Sequence, residues 1–141
     1  MSQRLSSEMV HATTVAKDGR GVVIAGRSGS GKSDLALRLI DRGFVLVSDD
    51  QTLISKADGK PIASAPGTIR GKIEVRGIGI VEVDHADRAA VCLWVTLTNE
   101  VKRLPEGESH IILGVAVPEI SLDAMTASAP IKIELALGMI A

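Results

Sequence analysis

The sequence is poor in aromatic side chains, because its 141 residues include no Tyr, one Phe (Phe44) and one Trp (Trp94). Proteins that bind single-stranded nucleic acids use aromatic rings to stack successive bases, so the composition argues against that function. With so few rings available, the core is predicted to consist of Val, Ile, Leu, Ala and Met side chains.

Several other features are missing. The 16 Lys and Arg residues nearly balance the 17 Asp and Glu residues, giving a net charge of −1 that makes a nucleic-acid partner unexpected. No apolar run approaches the ~18 residues that span a bilayer, and the polar N-terminus does not resemble a signal peptide. The only cysteine, Cys92, lies in an apolar segment that predicts a buried thiol without a disulfide. We therefore expect one cytoplasmic domain over residues 1–141 with no membrane attachment.

Turn residues and hydrophobic periodicity predict an α/β fold. Residues 10–15 and 22–25 form a hairpin around the Asp18-Gly19 turn, and a helix over residues 33–41 is ended by Gly43. The remaining predicted elements are a buried strand at 44–47, a hairpin of 51–55 with 60–65, extended segments at 72–75, 80–83, 89–97 and 110–117 (the last ended by Pro118), and a helix at 129–140.

The segment after the first hairpin satisfies the phosphate-loop pattern G-x-x-x-x-G-K-[ST]. The residues of this loop are Gly26, Arg27, Ser28, Gly29, Ser30, Gly31, Lys32 and Ser33. Its glycines allow backbone N–H groups to converge on phosphate oxygens, at the positive N-terminus of the following helix. Lys32 is predicted to reach the β- and γ-phosphates and the Ser33 hydroxyl to bind Mg²⁺. Because the loop follows an apolar strand and precedes an amphipathic helix, we predict nucleotide binding rather than a flexible Gly/Ser turn.

Two carboxylates, Asp49 and Asp50, follow the buried strand at 44–47. Phosphoryl transfer needs one carboxylate to hold the metal and another to take the proton of the acceptor. Alternation along a strand would point the two side chains in opposite directions, so that one serves each task. In isolation the pair is also typical of a solvated turn, but the phosphate loop upstream favours the functional interpretation.

Four further residues are weaker candidates. Glu74 and Arg76 share one face of an extended segment, where they could complete a Mg²⁺ shell and neutralise phosphate charge, or simply form the wet face of a strand. His11 is predicted to lie in an alternating strand, where it could equally be an ordinary hydrogen-bonded histidine. Arg103, in a polar segment, is locally no more than a surface arginine.

The ordered set of motifs resembles the HPr kinase/phosphorylase family. The resemblance rests on His11, the phosphate loop, the R-G-x-x-L-V-x-D-D string that ends at Asp50, and the E-x-R-G-x-G-I string that begins at Glu74. It implies a catalytic domain with a central β-sheet and a P-loop, similar to the nucleotide-binding domain of phosphoenolpyruvate carboxykinase. It further implies ATP and Mg²⁺ as cofactors, a regulatory serine of the HPr phosphocarrier protein of the sugar phosphotransferase system as substrate, and a homo-oligomer, specifically a hexamer.

The resemblance also assigns roles to single residues. Lys32 corresponds to the phosphate-binding lysine, and Ser33 and Glu74 to the Mg²⁺ ligands, with Asp49 supporting the metal. Asp50 corresponds to the catalytic aspartate. His11 and Arg103 fall at the positions of a catalytic-site histidine and arginine, and Arg76 is expected to stabilise charge beside Lys32.

The chain departs from the family pattern in three places. The resemblance begins near His11, so the family's N-terminal regulatory domain is expected to be missing. Residues 122–129 lack the Arg, Gly and Asn of the family's C-terminal loop, which argues against the reverse, dephosphorylating reaction. Phe44 stands where many members have histidine, and its place shortly before Asp49 predicts that it borders the active site.

We therefore predict an ATP- and Mg²⁺-dependent HPr serine kinase in a short, single-domain form. Two alternatives remain open at this point. The chain could phosphorylate a small hydroxylated metabolite, or it could be a non-catalytic nucleotide sensor that reports to a regulatory partner.

Overall fold

The computed structural model describes residues 6–140. The strands are β1 (Ser7–Val10), β2 (Ala12–Lys17), β3 (Arg20–Ala25), β4 (Val45–Ser48), β5 (Thr52–Ala57), β6 (Lys60–Ser64), β7 (Lys72–Val75), β8 (Gly79–Glu82), β9 (Arg88–Leu97), β10 (Ser109–Ile112) and β11 (Val115–Leu122). The α-helices are α1 (Lys32–Asp41) and α2 (Ala129–Gly138), and a short 3-10 helix covers Gly67–Ile69. None of the helices among residues 6–140 has the length and apolar character needed to cross a membrane.

Nine strands form one mixed sheet in the order β1-β5-β6-β9-β3-β2-β4, with β11 added beside β9 and β10 beside β11. The long strand β9 is central, because it pairs with β3 along one edge and with both β6 and β11 along the other. The strands β7 and β8 form a separate antiparallel hairpin.

The directions of the strands bring several loops to one edge of the sheet. Strand β9 runs parallel to β3 and β11, and β4 has the same direction because both β3 and β4 are antiparallel to β2. The phosphate loop, the two aspartates, the segment 98–108 and the segment 123–128 follow the carboxyl ends of these four strands, whereas His11 precedes the antiparallel β2. This shared edge explains how residues far apart in sequence can build one site.

Clusters of buried apolar side chains lie on both faces of the sheet. On one face, α1, α2 and the β7–β8 hairpin contribute to a cluster that includes Leu35, Ile73 and Ile133. On the other face, β5, β6, β10 and β11 contribute to a second cluster around Trp94. Alternation along β3 supplies both, since Val22 and Ile24 belong to the first cluster and Val23 to the second.

The predicted core composition is partly wrong. The branched aliphatic residues and alanine dominate it, but Met9, Met125 and Met139 are exposed. Both aromatic residues are buried, Phe44 at 2% and Trp94 at 4% relative exposure. Trp94 has a ring partner, since it stacks on His110 with centroids 3.8 Å apart. Cys92 is only half-buried, whereas the sequence predicted a buried thiol.

The local predictions hold for the two predicted hairpins and both helices, but three of them are wrong. Asp18 and Gly19 form the β2–β3 turn with positive φ, and Gly43 adopts a left-handed conformation after α1, as predicted.

The segment predicted as one extended stretch over residues 110–117 forms parts of two antiparallel strands, β10 and β11, joined by a turn at Leu113 and Gly114 with positive φ. Pro118 lies inside β11 and does not end it. Proline is tolerated there because β11 has only β10 as neighbour at this position and first pairs with β9 at Glu119. His11 forms a bend between β1 and β2 and is not a strand residue.

Candidate functional site

The phosphate loop connects β3 to α1 and has the backbone conformation that its glycines permit. Gly29 and Gly31 have φ values of +79° and +95°, which L side chains rarely adopt. A Cβ atom at Gly31 would also lie 3.2 Å from the Cβ atom of Ala124, so the 123–128 segment packs directly against the loop. Gly31 therefore has little room for a side chain, whereas at Gly29 the positive φ alone favours glycine. The loop ends where α1 begins, so its amides lie at the N-terminus of that helix.

Two side chains of the loop are turned inward. Lys32 is only 5% exposed, and its ammonium group donates hydrogen bonds to the backbone carbonyls of Gly26 and Arg27 at 3.0 and 3.1 Å. The Ser30 hydroxyl is buried and has no hydrogen-bond partner among the described residues. A buried hydroxyl without a partner is costly unless a ligand supplies one, and a phosphate oxygen is such an acceptor.

A cavity of about 560 Å³ opens beside the loop. Its lining combines the loop and first turns of α1 with the aspartate turn, the end of β7 and the segment before α2: Ser28, Gly29, Gly31, Lys32, Ser33, Asp34, Leu37, Asp50, Glu74, Val75, Arg76 and Met125. Its size falls within the ~300–1,000 Å³ of typical small-ligand sites.

Asp49 is the buried member of the aspartate pair, at 8% exposure. Its Oδ1 accepts hydrogen bonds from the hydroxyls of Ser33, at 2.6 Å, and Thr13, at 3.0 Å. Its Oδ2 accepts a bond from the backbone N–H of Glu74 at 3.0 Å. Asp49 therefore joins α1, β2 and β7, and its bond to Ser33 consumes the hydroxyl proton and leaves the oxygen lone pairs free for a cation.

Asp50 is the exposed member of the pair, with 60% of its side chain accessible. Its Oδ1 lies 2.7 Å from Nε2 of His11 and 3.9 Å from Nζ of Lys32. The expectation that the two aspartates alternate along a strand is wrong, because β4 ends at Ser48 and both lie beyond it. They diverge because Asp50 has a φ of +67°, in a turn closed by a 2.8 Å bond from the Gln51 N–H to the Asp49 carbonyl.

Glu74 and Arg76 both line the cavity, although not through strand alternation. Strand β7 ends at Val75, so Arg76 belongs to the turn before β8. The predicted common extended face is therefore wrong, but Glu74 and Arg76 line the same cavity as the phosphate loop. The E-x-R-G-x-G-I string belongs to the β7–β8 hairpin, and its Glu74 and Arg76 both contribute to the lining of the cavity.

Arg103 is not brought into the cavity. It is exposed in the segment 98–108, which follows β9 at the same edge of the sheet as the phosphate loop. Next to it, Lys102 forms a 2.5 Å ion pair with Glu108, and this hydrogen bond lowers the pKa of the Glu108 carboxyl. The ion pair closes the loop on itself.

Phe44 does not border this site. It precedes β4, whereas Asp49 follows it, so the two lie at opposite ends of the strand. The Phe44 ring instead lines a separate cavity of about 170 Å³ together with Lys17 and Glu134, and the Lys17 ammonium lies 5.4 Å from the ring centroid. The residue that sequence reasoning missed is Thr13, which bonds to both aspartates. Its neighbour Thr14 in β2 is also a buried threonine, so the sequence of the strand does not single out Thr13.

The residues present fit a magnesium ion that is shared with a nucleotide. Residues 6–140 contain no group of three or more His, Cys, Asp and Glu side chains arranged to hold a metal by themselves. Mg²⁺ commonly keeps only one or two protein oxygen ligands and takes the rest from phosphates and water. The Ser33 hydroxyl, oriented by Asp49, and the Glu74 carboxylate at the cavity wall match this requirement.

Comparison with known proteins agrees with this geometry. A family model described as "HPr Serine kinase C-terminal domain" matches residues 3–136. The chain belongs to this family. The resemblance drawn from the sequence motifs is thereby confirmed.

Relatives of the HPr serine kinase family are similar over different lengths. The HPr kinase/phosphorylase of Mycoplasmopsis pulmonis is 45% identical over 74 residues, covering 52% of this chain and 24% of that protein. The HPr kinase/phosphorylase of Caldicellulosiruptor bescii is 38% identical over 124 residues, covering 78% of this chain and 40% of that protein. The chain thus spans between about a quarter and two fifths of the length of these curated relatives.

A solved structure of the family supports the fold. The Hpr(Ser) kinase/phosphatase of Coxiella burnetii superposes with a TM-score of 0.80 at 32% sequence identity, covering 91% of this chain and 87% of that one. The predicted α/β fold of a P-loop kinase domain with a central sheet is therefore confirmed.

Proposed function

We propose that this chain is an ATP- and Mg²⁺-dependent kinase that phosphorylates a serine of an HPr-type phosphocarrier protein. The observation that carries the proposal is the position of an exposed carboxylate beside the phosphate loop. Oδ1 of Asp50 lies 3.9 Å from Nζ of Lys32, and both residues line one cavity. Membership of the HPr serine kinase family supports the choice of a protein serine as acceptor. ATP is available in the cytoplasm, where we place the reaction.

The nucleotide phosphates would bind to the amides of residues 26–33, with Lys32 and Arg76 neutralising their charge. To reach a phosphate, Lys32 exchanges its bonds to the Gly26 and Arg27 carbonyls for bonds to phosphate oxygens. Ser33 and Glu74 would hold Mg²⁺, which would supply positive charge to offset the negative charge of the phosphates.

The burial and hydrogen bonding of the two aspartates support Asp50 as the proton acceptor. Asp49 cannot readily serve as the base, because it is buried and both of its oxygens accept hydrogen bonds. Asp50 is exposed at the cavity, and the imidazole of His11 orients its carboxylate. In the proposed step the serine oxygen forms a bond to the γ-phosphorus, the bond from that phosphorus to the β,γ-bridging oxygen breaks, and the serine proton passes to Asp50.

Arg103 has a conditional place in this scheme. Its loop follows β9 at the same edge of the sheet as the phosphate loop. We propose that Arg103 approaches the phosphates only when nucleotide or protein substrate is bound. Catalytic groups are often positioned only in the complex, so its distance from the cavity here does not remove it from the scheme.

The test is to incubate the chain with labelled ATP, Mg²⁺ and HPr from the same organism. The proposal expects label on one serine of HPr, and labelling slower by at least about a hundredfold when Asp50→Asn replaces the wild-type chain. If ATP binds but no transfer occurs, a nucleotide-sensing role replaces the kinase role; labelling of a metabolite and not of HPr would favour a small-molecule kinase. Adding excess inorganic phosphate to phosphorylated HPr measures whether the reverse reaction occurs.

A further inference from the structure

The hydroxyl of Thr13 lies between the two aspartates and bonds to both. Thr13 is fully buried and is the second residue of β2, two positions after the bend at His11. Its Oγ1 donates a hydrogen bond to Oδ1 of Asp49 at 3.0 Å and accepts one from the backbone N–H of Asp50, also at 3.0 Å. One hydroxyl can do both, because it has one proton and two lone pairs.

The backbone at Asp50 needs such support. The bond from the Gln51 N–H to the Asp49 carbonyl spans only three residues, and with a positive φ at Asp50 it forms a γ-turn of the strained kind. Strained turns persist where neighbouring groups hold them in place. Two hydroxyls do so here: Ser48 bonds to the carbonyl of Gln51, and Thr13 bonds to the amide of Asp50 itself.

We propose that Thr13 is a positioning residue for phosphoryl transfer, which fixes the position of the Asp50 turn relative to the Asp49 carboxylate. Through Asp50 it sets where the exposed carboxylate meets His11 and Lys32. Through Asp49 it sets the orientation of the Ser33 hydroxyl. The inference rests on the proposed kinase function for its kinetic consequence, but its structural part can be measured without activity.

The chain supplies a matched control in Thr14. This residue is the next along β2, is equally buried, and has its hydroxyl 2.9 Å from that of Thr52. Thr14→Val therefore removes a buried hydroxyl from the same strand without removing a bond to either aspartate. Thr13→Ser is the conservative variant, because it retains the hydroxyl and loses only a methyl group.

The experiment compares the wild-type chain with Thr13→Val, Thr13→Ser and Thr14→Val in HPr labelling, with kcat and the KM for ATP measured separately. For Thr13→Val we expect kcat to fall about tenfold or more while the KM for ATP stays within about twofold, because misplacing the base affects the chemical step and leaves the phosphate loop intact. Thr13→Ser should retain kcat within about threefold. Thr14→Val should lose stability without this selective loss of kcat.

A second measurement follows exchange of the backbone amides by NMR. Thr13→Val should speed exchange at the Asp50 and Gln51 amides beyond any global change, whereas Thr14→Val should not. If the wild-type chain fails to label HPr, the proposed function fails and this measurement still decides the positioning role. If Thr13→Val does not fold, Thr13→Cys, with a weaker hydrogen-bonding group of similar size, should show an intermediate kcat.

Any of three results would overturn the proposal. The first is unchanged kcat and unchanged amide exchange in Thr13→Val. The second is a Thr13→Ser variant as impaired as Thr13→Val, which would indicate packing of the methyl group as the cause. The third, relevant if Thr13→Val is unfolded, is wild-type kcat in Thr13→Cys.

Discussion

The two neighbouring aspartates should respond differently to substitution by asparagine. Asp49→Asn should lower the stability of the chain, whereas Asp50→Asn should lower the rate of phosphoryl transfer. Asp49 is 8% exposed and accepts three hydrogen bonds, from Ser33, Thr13 and the Glu74 amide. Asp49→Asn keeps the shape of the side chain but makes these bonds neutral. A hydrogen bond to a charged group contributes about 1 kcal/mol more than a neutral one, so three bonds lose about 3 kcal/mol.

Part of this loss is offset, because a neutral amide is easier to bury than a carboxylate. We expect a net destabilisation of about 2 kcal/mol, which lowers the melting temperature by about 6–8 °C in a chain of this size. The substitution also turns an amide donor toward Ser33 or the Glu74 N–H, so Mg²⁺-nucleotide binding should weaken together with stability.

Asp50→Asn is the matched substitution. Asp50 is 60% exposed, and asparagine tolerates positive φ as well as aspartate does. The free energy of unfolding should therefore change by about 0.5 kcal/mol or less, as for an ordinary surface variant. Nucleotide binding should persist, because the phosphate loop is untouched. Transfer to HPr should fall by about 10²–10⁴-fold, the usual contribution of a general base.

The assay combines thermal unfolding, equilibrium binding of Mg²⁺-ATP and HPr labelling on the same three proteins. The reasoning about Asp49 is refuted if Asp49→Asn melts within about 2 °C of wild type, since three charge-assisted bonds cannot then be present. The assignment of Asp50 as base is refuted if Asp50→Asn transfers phosphate at a near-normal rate.

Two further predictions concern positions away from the aspartates. Gly31→Ala should weaken ATP binding by about tenfold or more in a titration while the chain stays folded, because the φ of +95° and the 3.2 Å approach to Ala124 force the loop to shift; unaltered binding would contradict the described loop geometry. Phe44→His should lower stability by about 2 kcal/mol in urea unfolding, because the ring is 2% exposed in the core, and leave the KM for ATP unchanged; a selective change in that KM would show that Phe44 acts on the site after all.

Local sequence patterns were enough for much of the fold. The Asp18-Gly19 turn, the helix that begins at Lys32 and its end at Gly43 follow from backbone preferences that each segment carries by itself. Pro118 was misread because its tolerance depends on where β11 gains its second neighbour, and no local pattern contains that information.

The motifs identified most of the residues that line the cavity, but they also included Arg103 and Phe44, which lie outside it, and they did not predict the arrangement of the aspartates. The motifs named Asp49 and Asp50 correctly as neighbours of the phosphate loop, but strand alternation is not what separates them. A γ-turn that forms only with support from another strand turns one carboxylate inward and the other outward. Thr13 had no sequence signal of function, because its importance arises from contacts with residues that follow 36 or 37 positions later.

The phosphate loop is a matter of local chemistry: the glycines, Lys32 and Ser33 specify an anion-binding turn before a helix wherever that segment folds. Three features depend instead on which strands pair: the burial of Asp49 beside the exposed Asp50, the placement of Phe44 at the far end of β4, and the position of Arg103 outside the cavity. Strand order is set by burial over the entire sheet, and only the packed structure contains that sum of long-range contacts.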